Sequence, residues 1–185
     1  MNDRIRPSYS NTAKALHWIM AAIFLAAWII GFYSATFTSY TESANLKYNL
    51  IITHKSIAMT ILFLALVRIF WRYTHPAPSL PESMHINMKR LAHLGHIMLY
   101  VALLILPISG CISSWLSGYP VPVLFIVTIP ALVETNKTMA PIAQMVHQYL
   151  AFGAGLLIIG HVIMALKHHF IEKDGVLMSM LWLKR

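Results

Sequence analysis

The stretch MVHQYLAFGAGLLIIGHVIMALKHHFIEKD, residues 145–174, decides how the chain is read. It is a continuous apolar run, long enough to cross a hydrocarbon core of about 30 Å as a helix, and it carries two histidines, His147 and His161. Fourteen residues apart, the two return to nearly the same helix face and sit roughly 21 Å apart along the axis. Polar side chains inside a bilayer are costly and turn toward protein partners, so two stacked imidazoles suggest two cofactors, one near each membrane surface. A single histidine in such a helix serves equally well as a hydrogen bond between helices. What tilts the balance is partners: His17 in LHW and His54 in THKS each lie in another apolar segment, making two pairs.

The composition fits a membrane class. Of 185 residues, 58% are hydrophobic and 11% charged, and mean hydropathy is +0.64, which sets the chain apart from soluble cores. The formal net charge is +8, yet the basic residues bracket apolar spans and form no stripe with interleaved aromatics, which argues against nucleic-acid binding. Cys111 is the one cysteine, so there is no internal disulfide, no C-x-x-C-H haem attachment, no iron–sulfur ligand set and no thiolate zinc site. Its expected state is a buried, inert thiol. The N-terminus lacks a signal-peptide pattern, so its first apolar run is expected to remain as a span.

Four spans are expected, at about 15–37, 48–70, 94–116 and 143–166, forming a single all-α membrane four-helix bundle over 1–185. Trp18 reads as an interfacial anchor and Thr38–Leu46 as a short outer linker. Lys55 is expected to snorkel outward. Pro76, Pro78 and Pro81 break the chain into an inner loop. Pro107 and Gly110 permit a kink, with room for a cofactor or a close helix contact. The apolar segment YPVPVLFIVTIPALV, about 119–133, is too interrupted by proline to span and is expected as an outer lid or re-entrant segment. His93 and His96 are placed at the inner edge of the third span, as interfacial residues or a quinone contact. Arg68 and Arg72 either face solvent and lipid or pair with an anionic cofactor group, Arg68 being the candidate for a haem propionate.

Arg4, Arg6, Lys14, Arg68, Arg72, Lys89, Arg90, Lys167, Lys173, Lys184 and Arg185 fall on one side of this arrangement, against Lys47, Lys55 and Lys137 on the other. That asymmetry puts both termini in the cytoplasm. His17 and His161 then lie near the inner face, His54 and His147 near the outer face. Four neutral imidazoles in two layers can hold two b-type haems, each between two helices. With both axial positions filled, such a centre passes single electrons and leaves no open iron position. Zinc is a poor rival, because pairs at opposite depths do not build one four-ligand site.

LHW at His17, THKS at His54, LAHLGHIMLY followed by LP and Gly110, and the run from His147 through GH at His161 to HHF and KD occur together in this order. In this the chain resembles, over nearly its whole length, the bacterial, Ni-hydrogenase-type cytochrome b561 family of four-helix membrane cytochromes. The resemblance implies haem iron ligation by His17 with His161 and by His54 with His147. Within the family it is similar to the small superoxide oxidases, which implies a bacterial inner-membrane protein that takes electrons from superoxide and delivers them to ubiquinone. His168 matches a position linked in such relatives to quinone chemistry. The chain departs from them at Ser179, where relatives carry arginine, and at Glu82 and Ser83, where they carry lysine. A second reading is a haem b relay subunit joining the quinone pool to a partner dehydrogenase or hydrogenase.

Overall fold

The computed structural model describes residues 8–182; Arg4, Arg6, Lys184 and Arg185, which enter the charge asymmetry, lie outside the described residues. Four long helices dominate: α1 (Asn11–Phe37), α2 (Tyr40–Thr74), α3 (Ile86–Leu116) and α4 (Met139–Lys167). Each contains one of the expected spans, and all are long and apolar enough to cross a membrane. Their outward faces stay rich in exposed large apolar side chains, from Ile19 and Ile29 on α1 to Leu156 and Ile163 on α4. Such a surface suits lipid and would be untenable in water.

Helix ends explain themselves from the local sequence. Ser10, in an extended conformation, caps α1 by accepting from the Ala13 amide at 3.2 Å. At the other end, the Lys47 ammonium donates to the carbonyls of Thr38 (2.8 Å) and Ser34 (3.2 Å), placing a cation on carbonyls the helix leaves free. Asn136 caps α4: its Oδ1 accepts from the amides of Thr138 and Met139 at 3.1 and 3.0 Å.

The expected linker 38–46 is largely helical instead. Ser39 caps a first turn that begins at Tyr40, and the chain bends at Ser43 (φ −151°, ψ 58°) before the span proper. Ser39 accepting from Thr41 supplies a helix start that the hydroxyl-rich composition concealed. Pro107 is accommodated inside α3.

The proline-interrupted segment folds as a short antiparallel hairpin, β1 (Val121–Val123) and β2 (Val127–Ile129), with Val121 opposite Ile129. Its turn, closed by the Ile126 amide on the Val123 carbonyl at 3.0 Å, places Leu124 and Phe125 at positive φ (50° and 59°). Two positive-φ residues in succession match the twist of a tight hairpin but disfavour side chains with a Cβ. The Leu124 amide donates to the Ser56 carbonyl of α2 at 3.2 Å, and Val121 is buried with Met59 and Cys111. The hairpin is therefore seated on the end of the bundle that holds Lys55.

α1 packs on α2, α2 on α3, and α3 on α4. Between α1 and α4 long side chains reach across: Trp28 donates to the Ala151 carbonyl at 2.8 Å and lies over Gly155, where an added Cβ would stand 2.9 Å from its ring. α4 passes into a π-helical turn, His168–Glu172, and ends at Lys173 with left-handed φ of 49°. The chain then folds back to a 3-10 turn, Met178–Met180, whose carbonyls receive hydrogen bonds from the start of the chain. Trp18, expected as an interfacial anchor, donates to the Met180 carbonyl at 3.0 Å while remaining partly exposed.

Candidate cofactor site

The four histidines assemble as two layers. The His17 ring on α1 faces that of His161 on α4, and the His54 ring on α2 faces that of His147 on α4; ring centroids are 6.2 Å apart in both pairs, with interplanar angles of 69° and 68°. A metal held between two imidazoles at about 2 Å from each nitrogen places the ring centroids roughly 6 Å apart. Nothing in ordinary helix packing requires two pairs at separate depths to share one spacing.

The outer pair is oriented by its neighbours. His54 Nδ1 donates to the Ala27 carbonyl of α1 at 2.8 Å. One turn further along α1, Gly31 gives the ring its space: a Cβ there would stand 2.8 Å from the imidazole. Opposite, His147 Nδ1 lies 2.8 Å from Ser109 Oγ. Because that hydroxyl donates its own proton to the Leu106 carbonyl at 2.8 Å, it accepts from the imidazole. Gly110 provides the second slot, with a Cβ position 3.1 Å from the His147 ring. Both rings thus carry their proton on Nδ1 and keep Nε2 free, the arrangement in which an imidazole ligates metal through Nε2.

The inner pair differs. His17 Nδ1 faces Arg68 Nη2 at 3.3 Å. A guanidinium only donates, so in this arrangement Nδ1 accepts and the proton is on Nε2. Arg68 also lies over the Tyr100 ring at 5.9 Å, and its Nη1 is buried without a hydrogen-bond partner. A third histidine joins this layer: the His96 ring is 5.5 Å from that of His161, its Nδ1 donating to the Ala92 carbonyl at 2.6 Å. His96, expected at the inner edge of the third span, thus stands exposed beside the inner histidine pair. It lies nearly three turns into α3, which begins at Ile86, and its ring contact is with His161 of α4.

Lys55, expected to snorkel outward, points inward: its Nζ donates to Ser114 Oγ at 2.7 Å under the Tyr119 ring. Ser114 and Tyr119 at the α3 terminus offer polar contacts that the apolar sequence around Lys55 did not advertise. His168 lies apart from both layers and is buried, its Nδ1 2.6 Å from Glu172 Oε2 and 2.7 Å from Asp174 Oδ2. Arg72 is placed over the Tyr9 ring at 6.0 Å.

A model of prokaryotic cytochrome b561 matches residues 8–182. The chain belongs to that family. It is 33% identical to cytochrome b561 homolog 2 of Escherichia coli (strain K12), covering 94% of this chain and 90% of that protein. It is 29% identical to cytochrome b561 homolog 1 of the same organism, covering 94% and 96%. To the probable superoxide oxidase CybB of Yersinia pestis it is 26% identical, covering 96% and 97%. Membership makes the chain a multi-pass bacterial membrane protein of a family that binds haem b and transfers electrons. The residues present fit such a group: two slots that a Cβ would fill, two outer imidazoles with free Nε2, and a buried guanidinium nitrogen short of an acceptor.

Sequence reasoning missed Gly31, Ser109, Ala27 and the contact of His96 with His161. Gly31 carried the readable signal, a glycine inside an otherwise bulky span where close approach of another chain is the usual reason.

Proposed function

We propose that the protein is a di-haem cytochrome of the bacterial inner membrane, with both termini cytoplasmic, that oxidises superoxide at its outer face and reduces ubiquinone. The observation carrying the two-haem part is the common 6.2 Å spacing of the two histidine pairs. His17 and His161 hold the inner haem b, His54 and His147 the outer one. Haem, when bound, would supply reversible one-electron exchange. The protein's part is to orient the imidazoles, exclude water with the apolar helices and hold charge at the edges.

Arg68 supplies charge at the inner layer. Its unpartnered Nη1 suits a propionate carboxylate, and a carboxylate there would draw the guanidinium off His17, freeing Nδ1 to carry the proton and Nε2 to ligate. His168 is proposed at the quinone, its Nδ1 proton shared with Glu172 and Asp174, so that Nε2 is the nitrogen available to a quinone oxygen. Each superoxide loses one electron and leaves as dioxygen. Two such electrons with two protons from the cytoplasm convert one quinone to quinol.

Support for superoxide as donor comes from the relative named a probable superoxide oxidase. The relay reading, with a partner dehydrogenase or hydrogenase, draws on a different observation: Lys47 and Lys55 both engage protein acceptors, which reduces the positive charge offered to an anion at the outer face. The test is purified protein given a superoxide source with and without ubiquinone. Haem reduced by superoxide and reoxidised by quinone is the expected result; haem indifferent to superoxide, or copurification with a large redox subunit, would favour the relay.

A further inference from the structure

Beneath the hairpin, α2 and α3 bring together three hydrogen-bond donors, two of which lack acceptors. Lys55 has no carboxylate partner among the described residues; its ammonium is held by Ser114 Oγ and the face of the Tyr119 ring. Beside it, Ser56 is completely buried, its carbonyl accepts from the Leu124 amide of the hairpin turn, and its Oγ has no partner. On α3, Trp115 packs against the Met59, Cys111 and Val121 cluster, and its Nε1 is likewise buried and unpartnered. Met59, one turn from Ser56 and Lys55, contacts Cys111 through their sulfurs at 3.3 Å, so these faces of α2 and α3 meet directly under β1.

A buried hydroxyl and a buried indole N–H left without acceptors carry an uncompensated desolvation cost. An uncompensated ammonium beside them adds positive potential in a poorly solvated place. The ammonium and the indole N–H only donate and the Ser56 hydroxyl can donate with them, so the set favours an acceptor of negative charge over a cation. The spot also adjoins the outer histidine pair: Lys55 and Ser56 follow His54 in sequence, and Cys111 to Trp115 follow the Ser109–Gly110 pair that seats His147.

We infer that the α2–α3 junction under the β1–β2 hairpin, where Lys55 and Ser56 of α2 meet Trp115 of α3, is a binding site for a small monovalent anion. Superoxide is the anion of interest, an assignment that rests on the donor proposed above. The site goes beyond long-range attraction by surface lysines, because two of its three donors are uncharged.

The test uses the full-length haem-loaded protein, Ser56→Ala and Trp115→Phe variants, and bromide as the probe, with ionic strength held constant by a bulky anion. Bromide should slow superoxide-driven haem reduction in the wild type. Either substitution should lower the superoxide rate and weaken bromide inhibition about tenfold, as expected for loss of one hydrogen bond to a charged partner, while haem content and reduction by quinol stay unchanged. Rates equal to wild type in both variants, with no bromide effect, would overturn the site. Should the wild type prove indifferent to superoxide, the donor proposal falls by itself, and bromide anomalous scattering decides the site: a peak beside Ser56 and Trp115 upholds it, and an empty map overturns it.

Discussion

At the level of single residues, the histidine layers depend on groups that bear no charge. Gly31 admits the His54 ring where a Cβ would stand 2.8 Å away, under the shortest separation such atoms adopt. Gly31→Ala should therefore push the imidazole out of line, and haem quantified per chain should fall from two to one with the inner spectrum intact. Ser109 acts on the opposite ligand by accepting the His147 Nδ1 proton. Ser109→Ala should weaken outer haem retention by about ten- to hundredfold, the usual effect of losing a ligand's hydrogen-bond partner, read as haem loss to an apoprotein acceptor. The four histidines were legible because imidazoles in apolar helices have few other reasons to exist and their depths pair off. Their supports were not, since Ala27 acts through its backbone carbonyl and Ser109 through a hydroxyl that four-helix patterning does not single out. Arg68 was legible only as a cation facing either solvent and lipid or an anionic group, and its contact with His17 Nδ1 is a matter of side-chain reach, invisible to spacing.

Among the elements, the long helices follow from apolar length, and the segments between them do not. The linker 38–46 reads as loop from its hydroxyl groups, yet the same hydroxyls cap helices: Ser39 starts α2 and Thr38 Oγ1 donates to the Ser34 carbonyl at the end of α1. The proline-rich outer segment was recognised as non-spanning; its strand pairing rests on a turn made by Leu124 and Phe125, residues that carry no turn signal. The tail shows a contact of long sequence separation that no local pattern reveals. Buried Lys14 donates to the Leu181 carbonyl at 2.8 Å, joined by Ser8 Oγ and the Tyr9 amide on the Ser179 carbonyl. Lys14→Met should keep the side-chain volume and remove a charged hydrogen bond of about 1.5–3 kcal/mol. Limited trypsin digestion should then cut after Lys173 roughly tenfold faster, through easier opening of the tail; an unchanged cleavage rate would show that the other tail contacts suffice.

For the whole molecule, apolar helix faces place the bundle in lipid and the two histidine layers divide it between its surfaces. The outer surface offers Lys137 as a cation that makes no ion pair among the described residues. Lys137→Glu should slow superoxide-driven reduction at low salt and lose its effect at high salt, since exposed charges act over about a Debye length of 10 Å at 0.1 M. A salt-independent change would place Lys137 in direct contact with the donor instead. The central claim is that His54 with His147, and His17 with His161, hold one haem b each. It is tested most directly by haem quantified per chain, with oxidised and reduced visible spectra, in the wild type and in His54→Ala and His147→Ala variants. The account predicts two haems in the wild type and one in either variant, the same inner haem remaining in both. Two haems retained in either variant, or a single haem in the wild type, would contradict it.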